Sequence, residues 1–389
     1  MESKFENGKL TIYLSGNVDS ANAEEVSKGI FSILEKYPEK SLVLDLEDLK
    51  YISSAGLRVI LKLKKQEKDL ELINASSEIY EIFDMTGFTE MMHISRGYRK
   101  LSVEGCEVIG EGSNGIVYRL NPDTIIKVYK NSDAIDDIKR ERELARTALV
   151  MGVNTAIPYD VVKVGDKYGS VFELLSAKSL TKLIKEDPQN REHYAEVFTD
   201  MMKEIHSTKV KEGLLPKTKD QALGWVKWLK EYLPEKTYEK LYRLVEEIPD
   251  DLHMIHGDYH ANNVHYANNE AILIDMDTLS TGNPVFEFAS FYLAYEGYGM
   301  IDHSKVEDFM KLDWDNCQFL LKRVPELYFA GKDQAYVESM MKKAKTIGYA
   351  RMLRRTLKRE KDNQALIDHS LKTLISLVDE NDSLAFERD

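Results

Sequence analysis

Cysteine is scarce in this sequence, with only Cys106 and Cys317 among 389 residues. Two cysteines cannot build a disulfide framework, and they show no metal-ligand spacing, so we expect a reducing, cytoplasmic environment. No apolar run approaches the roughly 18 residues that a membrane span needs. The first residues also lack the basic and apolar regions of a signal peptide. A membrane protein and a disulfide-rich secreted protein are therefore both unexpected.

Excess positive charge is also missing, because 66 acidic residues outnumber 53 basic ones and leave a net charge of −13. Proteins that bind nucleic acid usually present a basic face, so we expect no nucleic-acid partner. Hydrophobic residues make up 43% of the chain and charged residues 31%, which is ordinary for a globular protein. The length predicts two or three domains.

The first hundred residues alternate between strand and helix patterns. Asn7-Gly8 separates two short alternating runs and predicts a β-hairpin. Leu42–Leu46 and Leu70–Ile73 have the composition of buried strands, and apolar stripes at helical spacing lie between and after them. This order predicts a small open α/β sheet covered by helices.

One stretch of this domain resembles a known family. The run LEDLKYISSAGLR at residues 46–58, followed by IFDMTGF at 82–88, resembles the STAS domain of anti-sigma-factor antagonists. The resemblance covers about residues 1–95 and implies a regulatory protein partner. It also implies that a serine at the start of the helix is phosphorylated, and the match on Gly56-Leu57 places that serine at Ser54. Members with this switch carry an aspartate where this chain has Ser53. Ser54 is thus either a phosphorylation site or an ordinary N-cap, and Ser53 could equally be the cap.

The stretch at residues 254–277 carries the chemistry of the rest of the chain. Asp258 precedes Asn263 by five positions, and Asp275 follows a short apolar run. Phosphoryl transfer needs a group that orients the attacking hydroxyl and accepts its proton, and it needs oxygen ligands for Mg²⁺. Asp258 suits the first role, and Asn263 with Asp275 suits the second.

Upstream lies a glycine-rich loop in the context of two strands. The sequence GEGSNGIVY at 110–118 continues as a strand, and a second strand at 125–129 carries Lys127. This context differs from a dinucleotide fingerprint, which leads into a helix, and is typical of the nucleotide lid of the protein-kinase fold. The predicted nucleotide-binding positions of the lid are Gly110, Gly112, Ser113, Asn114, Gly115, Val117 and Lys127.

The next helix should supply a carboxylate partner for Lys127. Glu141 falls in the apolar stripe formed by Ile138 and Ala145, whereas Glu143 points about 200° away from Glu141. We therefore predict Glu141 as the partner, with Glu143 as the alternative. Residues 173–175 are the predicted hinge, where the backbone of Glu173 and Leu175 would hold adenine.

Together these motifs resemble aminoglycoside-phosphotransferase-like and choline-kinase-like enzymes, on the pattern His-Gly-Asp-x-His-x-x-Asn and then Ile-Asp-x-Asp. The resemblance covers about residues 101–389. It implies ATP and Mg²⁺ as cofactors and a bilobal, protein-kinase-like fold with a largely helical C-terminal lobe. Glu287 replaces the aspartate that braces the catalytic loop in this family. The predicted domains are 1–95, a linker at 96–104, the small lobe at 105–175 and the large lobe with a helical substrate subdomain at 176–389.

Two features of the large lobe remain open at this point. The aromatic residues of 214–250, including Trp225 and Trp228, would either help to cover the substrate or form a seam between helices. The basic run 342–361 would meet an anionic substrate or the STAS domain, or it would be the solvated face of a helix whose other face carries Ile347 and Leu353.

The sequence therefore predicts a Mg-ATP-dependent phosphotransferase that acts on a hydroxyl of a small molecule, with a regulatory STAS domain. A second hypothesis is a signalling protein whose kinase-like domain phosphorylates Ser54 while the STAS domain binds a regulatory partner. A third is a nucleotide-binding scaffold without transfer.

Overall fold

The computed structural model describes residues 1–37, 41–112, 114–132 and 134–387. The chain divides into two compact units. The first comprises Met1–Ser102 with Val161–Asp166, and the second comprises Val103–Asp160 with Lys167–Asp389. Within the described residues, no helix is both long and apolar enough to cross a membrane.

The first unit is an α/β domain built on a five-stranded sheet. The five strands of this sheet are β1 (Glu2–Glu6), β2 (Lys9–Val18), β3 (Ser41–Ile52), β4 (Glu71–Ala75) and β5 (Ile94–Arg96). The unit also contains the short β6 (Arg99–Lys100), which lies outside this sheet. Its helices are α1 (Ala23–Leu34), α2 (Ser54–Gln66), α3 (Ser77–Met85) and α4 (Phe88–Met91). The sheet order is β1-β2-β3-β4-β5, with β1 antiparallel and the other neighbours parallel. β6 lies in the segment expected to be a linker and pairs with residues 162–163.

Local sequence explains two features of this unit. The predicted hairpin joins β1 to β2, and Asn7 and Gly8 both have positive φ, as a tight primed turn requires. Gly56 lets α2 approach the sheet, because a Cβ there would lie 2.8 Å from the Val18 carbonyl oxygen. The serine just before α2 is therefore held close to the ends of β2 and β3.

The second unit has a small lobe of mainly antiparallel strands and a helical large lobe. Its strands are β7 (Glu107–Glu111), β8 (Gly115–Asn121), β9 (Thr124–Tyr129), the first part of β10 (Pro158–Val164), β11 (Lys167–Glu173), β12 (Lys178–Ser179), β13 (Met254–Ile255), β14 (Val264–Ala267), β15 (Glu270–Leu273) and β16 (Ser280–Thr281). The rest of β10, from Val161 onward, belongs to the first unit. Its helices are α5 (Ile135–Val150), α6 (Leu180–Glu186), α7 (Arg191–Ser207), α8 (Thr218–Trp228), α9 (Glu235–Glu246), α10 (Val285–Tyr295), α11 (Ser304–Met310), α12 (Trp314–Tyr328), α13 (Gln334–Arg359) and α14 (Gln364–Glu380).

The elements of the second unit position a cleft. β7, β8, β9 and β11 pair in antiparallel fashion, and α5 follows β9. In the large lobe α10 is buried along its whole length and packs against α13. The hairpin β14–β15 forms the middle of the catalytic stretch, with Asp258 and Asn263 before it and Asp275 after it. Because α10 is rigidly enclosed, groups at its N-terminus can hold the neighbouring loop in a fixed position.

Candidate active site

The glycine-rich loop joins β7 to β8 as the sequence predicts. Gly112 N–H donates to the Gly115 carbonyl at 2.9 Å, and Lys130 N–H donates to the Asn114 carbonyl at 2.9 Å. Gly115 must be a glycine, because a Cβ there would lie 2.6 Å from the Val128 carbonyl oxygen. Ser113, one of the predicted loop residues, lies outside the described residues.

Lys127 lies between two carboxylates. Its Nζ is 2.9 Å from Glu141 Oε1 and 3.1 Å from Asp275 Oδ1. Burial alone would lower the pKa of Lys127, but the charges of Asp275 and Glu141 outweigh it and raise the pKa. Lys127 is therefore a fixed cation that joins the small lobe to the catalytic stretch.

The helical stripe of α5 selects the partner of this lysine. Ile138 and Ala145 are buried, and Glu141 between them is 6% exposed and also accepts a hydrogen bond from Tyr129 Oη. Glu143 points to solvent, 3.8 Å from Arg146. The preference for Glu141 over Glu143 follows from the 3.6-residue period alone.

A cavity of about 390 Å³ opens beside this group. Every described residue of the predicted nucleotide site lines it: Gly110, Gly112, Asn114, Gly115, Val117, Lys127, Glu141, Glu173 and Leu175. The Glu173 carboxylate accepts from Ile157 N–H at 2.8 Å, which fixes the hinge strand. Sequence reasoning missed the apolar walls, among them Ala156, Phe172 and Met276. In the sequence, these residues look like any other apolar residue of a buried strand or turn, so nothing marks them as part of a binding site.

The catalytic stretch presents Asp258 beside His260, whose Nε2 lies 3.6 Å from Asp258 Oδ2, an ion-pair distance rather than a hydrogen bond. Burial would raise the pKa of Asp258, but His260 together with the charges of His256 and Arg351 lowers it to about 2. Asp258 is therefore ionised at neutral pH and can accept a proton or orient a hydroxyl. Sequence reasoning assigned His260 no role; the structure places it against the carboxylate.

Asn263 and Asp275 follow Asp258 in the same stretch, and both have side-chain oxygen atoms. Asn263 Nδ2 donates to the Asp258 carbonyl at 3.0 Å, while its side-chain oxygen has no partner among the residues described. Asp275 adopts a left-handed conformation, with φ 64°. Burial and the charges of Asp275 and Glu141 raise the pKa of neighbouring Asp277 to about 7. The cleft thus holds more carboxylate charge than Lys127 alone neutralises.

Glu287 braces the catalytic stretch from α10, as the sequence predicts. It is fully buried and accepts from His256 N–H at 2.6 Å and from Gly257 N–H at 2.9 Å. His206 Nε2 lies 3.5 Å from the same carboxylate. Burial would raise the pKa of Glu287, but His206, His256 and the amide donor lower it. The longer side chain of glutamate therefore reaches both amides of the loop.

A second cavity, of about 430 Å³, has Asp258 in its wall. The other walls come from α10, α11, α13, residues 298–302 and the start of α14, and no described residue lines both cavities. The aromatic residues Trp225 and Trp228 do not line it; they pack against the large-lobe core. Trp225 and Trp228 therefore lie in a seam between helices and not in the wall of either cavity.

In the first unit, the two candidate serines differ clearly. The Ser53 hydroxyl accepts from Ala55 N–H at 3.2 Å and from Gly56 N–H at 3.5 Å, so Ser53 is the N-cap of α2. Ser54 is the first helical residue and is exposed. The hypothesis that Ser54 is the N-cap is therefore wrong. The extended backbone of Ser53 places its own hydroxyl over the free amides of the first helical turn.

Comparison with known proteins identifies the larger unit. A family model described as a phosphotransferase enzyme family matches residues 105–308, just over half of the 389 residues. The chain belongs to this phosphotransferase family. It is accordingly a kinase that transfers phosphate to a hydroxyl group, with the kinase-like fold expected from the glycine-rich loop and the catalytic stretch.

Solved structures of aminoglycoside phosphotransferases are similar to the phosphotransferase chain. The ADP-bound APH(2'')-Ib is 17% identical with a TM-score of 0.48, and the alignment covers 77% of this chain and 98% of that chain. The ternary complex of streptomycin, ATP and APH(2'')-IIa is 18% identical with a TM-score of 0.47, covering 78% of this chain and 99% of that chain. At these values the similarity carries no argument about the acceptor.

The first unit matches the STAS domain model over residues 1–101. A protein of Bordetella bronchiseptica named as the anti-sigma factor antagonist BtrV is 38% identical over 92 residues, which are 23% of this chain and 78% of that protein. An anti-sigma-B factor antagonist of Staphylococcus aureus is 22% identical over 90 residues, 22% of this chain and 82% of that protein. The phosphotransferase therefore carries an N-terminal STAS domain like those of anti-sigma-factor antagonists.

Proposed function

We propose that this phosphotransferase transfers the γ-phosphate of ATP to a hydroxyl of a small molecule, with Asp258 as the group that orients and deprotonates the acceptor. The observation that carries the proposal is the division of the cleft. One cavity holds Lys127 and the glycine-rich loop, and a separate cavity holds Asp258. A nucleotide and an acceptor would thus meet at the catalytic stretch from two sides.

The residues present fit Mg²⁺. Asn263 and Asp275 offer oxygen ligands, and the pKa of Asp277 is raised first by burial and then by the charges of Asp275 and Glu141, which a cation would offset. In the described part of the chain, no three histidine, cysteine or carboxylate side chains form a metal cluster. The remaining ligands would be phosphate and water oxygens, a set that Mg²⁺ prefers. When bound, the ion neutralises phosphate charge during transfer.

The protein's own residues would do the rest. Lys127, held by Glu141, would contact the phosphates from the small lobe. Asp258 would accept the hydroxyl proton, a contribution of about 10²- to 10⁴-fold for a positioned general base. Glu287 would keep the Asp258 loop in place by accepting its amide hydrogens. Glu173 and Leu175 would hold the adenine through their backbone at the hinge.

A nucleotide titration tests the assignment of binding and chemistry to different residues. Calorimetry with Mg²⁺ and a non-hydrolysable ATP analogue should show tight binding to wild type and to Asp258→Asn, and at least tenfold weaker binding to Lys127→Met. ADP formation should fall in both variants. Equal binding by Lys127→Met and wild type would place the nucleotide elsewhere and contradict the proposal.

A second function is favoured by the position of Ser54. Ser54 is exposed. Because Ser53 is the N-cap of α2, Ser54 can receive a phosphate without loss of the cap. A phosphate there would lie at the favourable end of the helix dipole. We propose that the STAS domain binds a regulatory protein and that phosphate on Ser54 controls this binding. Peptide mapping after incubation with Mg-ATP tests it: phosphate on Ser54 in wild type but not in Asp258→Asn supports phosphorylation by this kinase, and an unmodified Ser54 in both contradicts it.

A further inference from the structure

The cavity that contains Asp258 has an uneven distribution of charge. Arg351 and Arg355 from α13 and Lys305 from α11 line it, together with the carboxylates Asp302 and Glu360. The whole chain carries a net charge of −13, so three cations in one cavity are not a reflection of the average surface. The question is which of these charges remain available to a ligand.

The two arginines are held in position by hydrogen bonds and ring contacts within the protein. Arg351 donates to the Gly257 carbonyl at 3.3 Å and to Ser290 Oγ at 2.5 Å, and its guanidinium lies 5.4 Å from the Trp225 ring. Arg355 is one helical turn further along the same face of α13, with its guanidinium 5.1 Å from the Tyr298 ring. Within the described ranges, neither guanidinium forms an ion pair with a carboxylate. Most of their donors are therefore free for a ligand.

The two carboxylates, in contrast, accept hydrogen bonds from the protein itself. Asp302 Oδ1 accepts from the Ser304 amide at 3.1 Å and from the Ser304 hydroxyl at 2.7 Å. Glu360 Oε2 accepts from Asn363 Nδ2 at 3.5 Å. These donors are neutral and leave both carboxylates charged, so apart from Asp258 the described lining holds three cations and two carboxylates, a net charge of +1.

We propose that the acceptor of this phosphotransferase carries an anionic group, a phosphate or a carboxylate, which Arg351 and Arg355 bind while its hydroxyl lies at Asp258. The inference rests on the proposed function and specifies its substrate class. Paired guanidinium groups bind planar or tetrahedral oxyanions through several parallel hydrogen bonds. Arg351 donates to the carbonyl of Gly257, the residue before Asp258, so the anion site and the base are fixed relative to each other.

An alternative assigns the arginines to the phosphates of the nucleotide. Their position argues against it, since Arg351 and Arg355 line the Asp258 cavity, while Lys127 and Asp275 line the other. A cationic acceptor is disfavoured because it would place its charge beside two guanidinium groups that form no ion pair with a described carboxylate. If the arginines bound the nucleotide, their replacement would weaken binding of the ATP analogue. If the acceptor were cationic, ethanolamine would bind better than the anions.

The experiment titrates small probes into the full-length protein saturated with Mg²⁺ and a non-hydrolysable ATP analogue. The probes are inorganic phosphate, glycerol 3-phosphate, glycerate, glycerol and ethanolamine. We expect saturable binding of at least one anion, with glycerol and ethanolamine binding at least tenfold more weakly. The glycerol 3-phosphate and glycerate arms tell a phosphate acceptor from a carboxylate acceptor.

Matched variants of α13 connect this binding to the arginines. Arg351→Gln and Arg355→Gln should each weaken the preferred anion about tenfold or more, the loss that one charge-assisted contact produces. Arg359→Gln, an exposed residue of the same helix that does not line the cavity, should leave the anion affinity unchanged. Arg355 is exposed, so its replacement should not affect folding, which tryptophan fluorescence checks.

The inference would be overturned by the absence of saturable anion binding, by anion binding that both glutamine variants retain, or by a preference for ethanolamine. Loss of the ATP analogue in Arg351→Gln and Arg355→Gln would also overturn it, because the arginines would then belong to the nucleotide. An error in the proposed function can be told apart from an error in this inference, because in that case the wild-type protein would not bind the ATP analogue. Arginine-dependent anion binding to the nucleotide-free protein would then still support the inferred cavity chemistry.

Discussion

Replacement of Glu287 should destabilise the kinase-like unit, because this fully buried carboxylate accepts two amide hydrogens of the catalytic loop. A buried donor that loses its acceptor costs about 1–3 kcal/mol. Glu287→Gln keeps the shape but only one acceptor oxygen for the pair, so it should cost about 1–3 kcal/mol. Glu287→Ala leaves both amides without a partner and should cost about 2–6 kcal/mol.

Urea unfolding followed by tryptophan fluorescence measures this directly. All three tryptophans, Trp225, Trp228 and Trp314, lie in the second unit, so the signal reports on that unit alone. Glu143→Gln is the matched control. It removes an exposed carboxylate 3.8 Å from Arg146, and such pairs contribute only about 0–1 kcal/mol. If Glu287→Ala and Glu143→Gln have the same free energy of unfolding, the bracing role of Glu287 is refuted.

The same carboxylate predicts a pH dependence. The folded-state pKa of Glu287 is lowered from its ordinary value of 4.5, so its ionised form stabilises the folded protein above that value. This contribution is lost as the pH falls through the folded-state pKa. Glu287→Gln does not titrate, so the difference in stability between wild type and Glu287→Gln should narrow on acidification. A difference that stays constant or widens would contradict the assigned contacts.

Three further predictions concern other positions. Ser53→Ala should destabilise the STAS unit by about 1 kcal/mol through loss of the N-cap, measured by thermal unfolding, whereas Ser54→Ala should be nearly neutral. The reverse order would show that Ser54 is the cap. Gly115→Ala should abolish nucleotide binding in calorimetry, since its Cβ would lie 2.6 Å from a backbone carbonyl; unchanged affinity would contradict that geometry. His260→Asn removes a group that lowers the pKa of Asp258, so the acidic limb of the kcat/KM profile should move to higher pH, and an unmoved limb would contradict this role of His260.

The parts of the site that depend on local spacing could be predicted from the sequence. The glycine-rich loop follows from its motif, the choice of Glu141 follows from the helical period, and the bracing role of Glu287 follows from the resemblance to the phosphotransferase family. The first two involve groups whose positions are set within one loop or one helix. Glu287 needed the resemblance, because its partners His256 and Gly257 lie on a separate segment of the chain.

The parts that depend on packing between distant elements could not be predicted. Arg351 and Asp258 are 93 positions apart in the sequence and meet only because α13 packs on α10. In the sequence, the basic run of α13 looks the same as a solvated helix face. The Ser53–Ser54 ambiguity had a different cause, since the cap is decided by the backbone angles of a single residue, φ −92° and ψ 176° at Ser53.

The most direct test follows the labelled γ-phosphate of ATP after incubation of wild type and Asp258→Asn with Mg²⁺ and a pool of small hydroxyl compounds that includes anionic members. Mass spectrometry of the small molecules and of the intact protein shows where the label goes. We predict label on a small-molecule hydroxyl with wild type and none with Asp258→Asn. Equal labelling by both proteins, or label found only in inorganic phosphate or on the protein, would contradict small-molecule phosphoryl transfer at Asp258.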